Sequence, residues 1–339
     1  MAQGLLEVTG SIELGQFWPM GDSDADTTKI VLTTTTESLR FRPHPGAPFQ
    51  ITHAFENATV GGRVRRRPVD NRGRVTIRLQ GIDAPELHYR PTAALGPRDR
   101  SRTQDAMYKQ WNHEYRQHLA ETGTVKIHKL LARAGRDPMP CKVVTAVDSP
   151  GEVFDTYGRL VGDVLVEIEG REKNMNTWLV KQGWAMPTFY SSMSAEEIET
   201  FMVAAKKARK RDDGIWPFLS KKVGKFDWDL RYRGKGAVPN PLADVGPVFP
   251  PKLFRRLTTW AVNDRAKMVT GDFLSYLRAH PDHCFLTSDF LMNGSTVATP
   301  RRLDEFIQTK ELLKLRPEDL VFQEAASKLV GHDGAEISW

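Results

Sequence analysis

The chain has 339 residues, 40% of them apolar and 27% charged, with 48 lysines and arginines against 42 aspartates and glutamates. That length exceeds the usual span of one domain, and the composition is that of an ordinary folded protein. A disordered or fibrous chain is excluded and two domains are expected. No apolar stretch approaches the ~20 residues that cross a bilayer, and Met1–Thr9 lacks the basic start and apolar run of a secretory signal, so no membrane span and a cytoplasmic location are expected.

The net charge of +6 is unevenly spread: from Asn240 onward there are 12 basic and 13 acidic residues, and before it 36 and 29. The basic excess, which favours a polyanionic partner, therefore belongs to the first two-thirds. Cys141 and Cys284 lie far apart, forming neither a disulfide framework nor a zinc-ligand spacing, and read as buried small hydrophobes.

Along the chain, Val8–Trp18 and Thr28–Thr36 are rich in β-branched residues and predict two strands around the acidic turn Gly21–Asp26. Residues 38–70 carry prolines, Gly61-Gly62 and the basic run Arg63-Val-Arg65-Arg-Arg67, and read as a long loop or elaborated hairpin. Arg65 and its neighbours could hold backbone phosphates or simply form a solvated loop, and the sequence does not choose between these. Arg74–Leu79 alternates as a strand that ends in the turn Gly81-Ile-Asp-Ala-Pro85. Met107, Trp111, Tyr115 and Leu119 recur every four residues and predict the core face of a helix.

Val143–Val147 and Gly158–Val166 predict further strands, and Asn176–Gly183 a short helix with a glycine C-cap. Ser194 and Glu197 form a capping box ahead of a helix whose last turn, Lys206–Arg211, is basic. Such a turn suits the helix dipole as well as it suits a nucleic-acid contact. Glycines and prolines mark a linker over 218–251, and spaced apolar residues over 252–339, Leu312 and Leu315 among them, predict a mainly helical accessory domain.

Chemistry enters with Arg78-Leu-Gln-Gly-Ile-Asp83-Ala-Pro-Glu86. Three charges bracket apolar and turn residues, unlike a solvated charge run, and they are the types that phosphodiester hydrolysis needs: carboxylates for a metal and a water, and a planar guanidinium for phosphate oxygens. This stretch resembles the signature of the staphylococcal nuclease (thermonuclease-like) family. Asp155-Thr-Tyr-Gly-Arg159, Asn174-Met-Asn176 with Leu179–Ala185, and Ala204–Trp216 resemble the family's later motifs in order and spacing. The resemblance covers residues 8–217, with 34–70 as an insertion and nothing over 240–339.

It implies an α+β fold, a five-stranded OB-type barrel with packed helices, as the domain over 1–217. It further implies a calcium-type metal held by Asp26, Asp83 and the carbonyl of Ala84, with Glu86 as general base or water orienter. Arg78 and Arg159 are then the phosphoryl ligands, and Tyr157, Phe189 and Tyr190 the substrate-facing aromatics. Asp26 sits in Asp22-Ser-Asp24-Ala-Asp26-Thr27, where the family has a glycine before the aspartate, and Asp24 is the reserve candidate. The implied activity is cleavage of DNA, RNA or both with little sequence preference, leaving 3′-phosphate ends. The alternatives are a non-catalytic nucleic-acid-binding scaffold on the same barrel, and an effector nuclease regulated by a partner or by self-association through 252–339.

Overall fold

The computed structural model describes residues 4–34, 37–60, 66–220, 226–237, 246–307, 316–324 and 327–339. The strands are β1 (Leu5–Ile12), β2 (Thr27–Leu32), β3 (Leu39–Arg42), β4 (Gln50–Ile51), β5 (Thr59–Val60), β6 (Arg74–Leu79), β7 (Ile82–Asp83) and β8 (Met139–Ala146). They continue with β9 (Leu160–Ile168), β10 (Arg171–Asn174), β11 (Met186–Pro187), β12 (Phe189–Tyr190), β13 (His283–Leu286), β14 (Arg301–Arg302), β15 (Leu320–Phe322) and β16 (Leu329–Val330). The helices are α1 (Arg102–Trp111), α2 (Ala120–Ala132), α3 (Met175–Lys181), α4 (Ala195–Lys210), α5 (Pro251–Arg265), α6 (Phe273–Ala279) and α7 (Thr287–Val297).

Two compact units interleave along the chain, one of residues 1–80, 124–179 and 324–339, the other of 81–123 and 180–323. The stretch 252–339, expected as one accessory domain, contributes to both: its helices belong to the second unit and its last sixteen residues, 324–339, to the first.

The first unit is a closed five-stranded barrel. β1 pairs with β2, β2 with β6, β6 in parallel with β9, β9 with β8, and β8 back with β1. Closure leaves no free edge within the ring. The inside is filled by the period-2 positions of the strands, among them Leu6, Val8, Ile30, Ile77, Val143, Val164 and Val166, all at most 2% exposed. The 34–70 insertion is a hairpin rather than a bare loop: β3 pairs with β1 and β4 with β3, carrying the sheet outward beside the barrel.

At the barrel's C-terminal strand, Asn176 is wholly buried. It donates to the carbonyls of Gln80 (2.9 Å) and Gly162 (3.1 Å) and accepts from the Val164 amide (3.1 Å), tying α3 to β9 and to the end of β6.

The second unit is mainly helical, with a four-stranded sheet in the order β12-β15-β13-β14. Tyr108, Tyr115, Leu253, Phe254, Leu257, Phe273, Leu277 and Phe322 belong to its core. The four-residue stripe expected to run through Leu119 as one helix is core only in part of that form. α1 stops at Trp111, and Tyr115 instead exchanges two backbone hydrogen bonds with Tyr89 (2.8 and 2.9 Å). Leu119 then takes a positive φ of 65°, which no helix continues through.

The Ser194–Glu197 capping box at α4 is present as expected. Of the basic residues that close α4, Arg209 is paired with Glu318 and lies over the Trp216 ring, and Arg211 is paired with Asp213 (2.6 Å). Part of this cluster thus serves the protein's own packing. Leu312 and Leu315 lie outside the described residues.

Candidate functional site

In the barrel unit the site begins at the entry to β2. Thr27 stands opposite Arg78 in the β2–β6 ladder, and the Asp26 carbonyl accepts the Leu79 amide at 2.9 Å, so register alone brings Asp26 beside Arg78. Their side chains form an ion pair at 2.6 Å, with Asp26 only 7% and Arg78 9% exposed. The other Asp26 oxygen accepts the Thr27 hydroxyl at 3.1 Å. Such charge-assisted bonds at low exposure hold both groups in one geometry.

Arg159 reaches the same place from β9. Asp155 makes this possible: one carboxylate oxygen accepts the amides of Tyr157 and Arg159, both at 2.9 Å, and the other accepts Arg159 Nε at 2.7 Å. Gly158, at φ +77°, lets the chain turn tightly enough. Arg159 Nη1 then donates to the Thr27 hydroxyl at 3.1 Å. The result is a line of Asp155, Arg159, Thr27, Asp26 and Arg78 across the ends of three neighbouring strands. Tyr157 is 67% exposed beside it, with the Arg159 guanidinium 5.4 Å from its ring centre.

An open cavity of about 510 Å³ adjoins this line, walled by Arg66, Arg67, Asp70, Arg74, Thr76 and Arg159 among others.

In the second unit the signature turn is set by Gly81, whose φ is +73° and where a Cβ would come within 2.8 Å of Met193 and Phe201. β7 then pairs with β11, Asp83 opposite Met186, leaving Asp83 at 1% and Ala84 at 2% exposure. The Glu86 carbonyl accepts the Gln117 amide at 2.8 Å. Arg255 from α5 pairs with the Glu86 carboxylate and lies 3.7 Å from that of Asp83. Nearby Lys252 sits over the Phe322 ring at 4.4 Å and is 3.6 Å from Asp282; burial pulls its ammonium below the usual lysine range.

The expected residues are thus distributed as follows. Asp26, Arg78, Arg159 and Tyr157 come together in the barrel unit, and Asp83, Ala84 and Glu86 in the second. Phe189, on β12 and paired with Val321 of β15, is wholly buried among the core residues rather than open to solvent. Tyr190 is half-buried, its ring 5.9 Å from the Lys252 ammonium. Arg65 lies outside the described residues.

Sequence reasoning missed Thr27, Asp155 and Arg255. The first two had a signal, a threonine after the expected metal aspartate and an aspartate four residues before the arginine. Arg255 had none, because it comes from outside the recognisable motifs. Among the described residues no group of three or more His, Cys, Asp or Glu side chains converges on a metal position, whereas the expected set is two carboxylates and a carbonyl. Both cysteines are buried and free, and burial pushes their thiols up to about 12. No helix among the described residues is long and apolar enough to cross a membrane.

A comparison with curated proteins returned no match. Residues 76–217 match the family model described as staphylococcal nuclease homologue. The matched segment holds Arg78, Asp83, Glu86 and Arg159, while β1, β2 and Asp26 precede it and join it through the β2–β6 ladder. Over residues 76–217 the chain therefore carries a staphylococcal-nuclease-homologue domain, on a closed five-stranded barrel with helices.

Proposed function

We propose that this protein is a metal-dependent phosphodiesterase that cleaves DNA, RNA or both with little sequence preference and leaves 3′-phosphate ends. The observation that carries the reading is the barrel-end network in which Asp26 fixes Arg78 and Asp155 fixes Arg159, with Thr27 between them. Two guanidinium groups held by buried or half-buried carboxylates are preorganised to take the oxygens of one phosphoryl group as its charge grows.

Asp26, Asp83 and the Ala84 carbonyl offer hard oxygen donors of the kind calcium takes. Arg255 supports the fit of a cation, since a positive group already stands against Asp83 and Glu86. When bound, a divalent cation would neutralise phosphate oxygens. Glu86 would hold the attacking water and accept its proton, and Tyr157, open to solvent, would stack on the base beside the scissile phosphate. Contacts of this type go to the sugar-phosphate backbone, hence the weak sequence preference.

A second reading, a nucleic-acid-binding module without chemistry, draws on the same Arg255, because a carboxylate bonded to a guanidinium is a poor base. Digestion of single- and double-stranded DNA and RNA with calcium, magnesium or chelator separates the two. Cation-dependent digestion that falls about 100-fold or more in Glu86→Ala supports catalysis. Tight binding with no digestion under any cation supports the module.

A further inference from the structure

The cavity beside Arg159 has a use that the scissile-phosphate site does not exhaust. Three of its cationic side chains, Arg66, Arg67 and Arg74, lie outside the family-matched segment and belong to the insertion and the start of β6. Arg66 is anchored: its amide donates to the Val60 carbonyl at 2.8 Å, and its carbonyl accepts the Val60 amide at 2.7 Å. Its side chain, like that of Arg67, is exposed. Arg74 is oriented by Asp70, whose carboxylate accepts Arg74 Nε at 2.8 Å. The wall therefore presents one neutralised guanidinium group and two solvent-facing ones, and Arg159 lines the same cavity.

Strand geometry sets the spacing. Arg74, Thr76 and Arg78 share one face of β6, and at about 3.3 Å per residue Arg74 lies roughly 13 Å along the strand from Arg78. Arg159 bridges the interval, because Leu160 is opposite Ile77 in the parallel β6–β9 ladder and Arg159 comes alongside Thr76.

We infer that this cavity is a seat for a backbone phosphate flanking the scissile one, making the chain a reader of polynucleotide length. The inference rests on the proposed phosphodiesterase reading for which phosphate is central and which is its neighbour. Its ligand class is a polynucleotide phosphodiester, and the shape of the seat, open and walled by guanidinium groups, selects charge rather than base identity.

The test uses the full chain and the double variant Arg66→Ala/Arg67→Ala, with Arg66→Lys/Arg67→Lys as the charge-preserving control. Binding of a fluorescent single-stranded 20-mer is measured with chelator from low to physiological salt. Cleavage of the same 20-mer is compared with that of a mononucleotide nitrophenyl phosphodiester in calcium. Each lost phosphate contact removes about 0.7 from the slope of log affinity against log salt, so loss of this one seat in the alanine pair is expected to lower it by about 0.7 and the lysine pair to restore it.

Its preference for the 20-mer over the mononucleotide ester should fall about tenfold, carried by KM. An unchanged slope and an unchanged preference would overturn the seat. If the parent cleaves nothing, the phosphodiesterase reading fails, while the slope still decides whether Arg66 and Arg67 hold phosphate.

Discussion

Asn176→Ala tests how the barrel supports the signature. The side chain is wholly buried and makes three hydrogen bonds, to the carbonyls of Gln80 and Gly162 and from the Val164 amide. Gly162 keeps a second partner, the Gln80 amide at 3.0 Å, so its loss is small. The Val164 amide is left buried without its acceptor, which costs about 2 kcal/mol, and the two carbonyl bonds add about 0.5 kcal/mol each. The total is about 3 kcal/mol. At 2–4 °C per kcal/mol for a unit of this size, the thermal midpoint should fall by roughly 9 °C.

Circular dichroism melting at neutral pH reads this directly. Asn176→Asp should also be destabilised there, since it sets a carboxylate against two carbonyls, and it should recover part of the loss in acid as the new carboxyl is protonated. A midpoint for Asn176→Ala within about 2 °C of the parent would refute the assignment of these bonds as the clamp on the end of β6.

Gly81→Ala forces a side chain into a left-handed turn and against Met193 and Phe201, and a loss of about 2–4 kcal/mol is expected in urea unfolding. For Asp282, burial raises the carboxyl, but hydrogen bonds from Arg256 and the charges of Lys252 and Arg256 outweigh it, leaving it below its ordinary 3.8. A carboxylate lowered on folding stabilises above its unfolded pKa and ceases to do so as pH falls through the folded value. Asp282→Asn should therefore cost about 2 kcal/mol at pH 7, with the gap to the parent closing below pH ~4 in melts across that range. Arg255→Gln removes the internal cation from Asp83 and Glu86, and terbium luminescence should report about tenfold tighter cation binding than in the parent. Equal or weaker binding would show that Arg255 does not compete for that charge.

Much of the barrel was legible because its signals are local. Alternation over Arg74–Leu79 and the β-branched runs at Thr28 and Val143 read directly as strands, and the Ser194–Glu197 box marked the start of α4. Asp26 was identifiable from the threonine and strand that follow it, and the β2–β6 register explains why that position meets Arg78. What was hidden depends on contacts distant in sequence. Tyr115 leaves the helical stripe because Tyr89, 26 residues earlier, takes its backbone hydrogen bonds. Phe189 looked substrate-facing from its place in the family's order, but pairing with a strand near residue 321 buries it. Arg255 was invisible for the same reason: nothing near Glu86 in sequence announces a partner 169 residues on.

The most direct measurement is the rate at which the full chain digests a polynucleotide in calcium, set beside Arg159→Ala and a chelator control. Arg159 is held by Asp155 and Thr27, and in the proposed reading it grips the scissile phosphoryl group, so its loss should slow cleavage about 100-fold or more while the melting midpoint stays within a few degrees. Chelator should abolish cleavage in the parent. Digestion by Arg159→Ala at the parental rate, or parental digestion unaffected by chelator, would contradict the proposed phosphodiesterase.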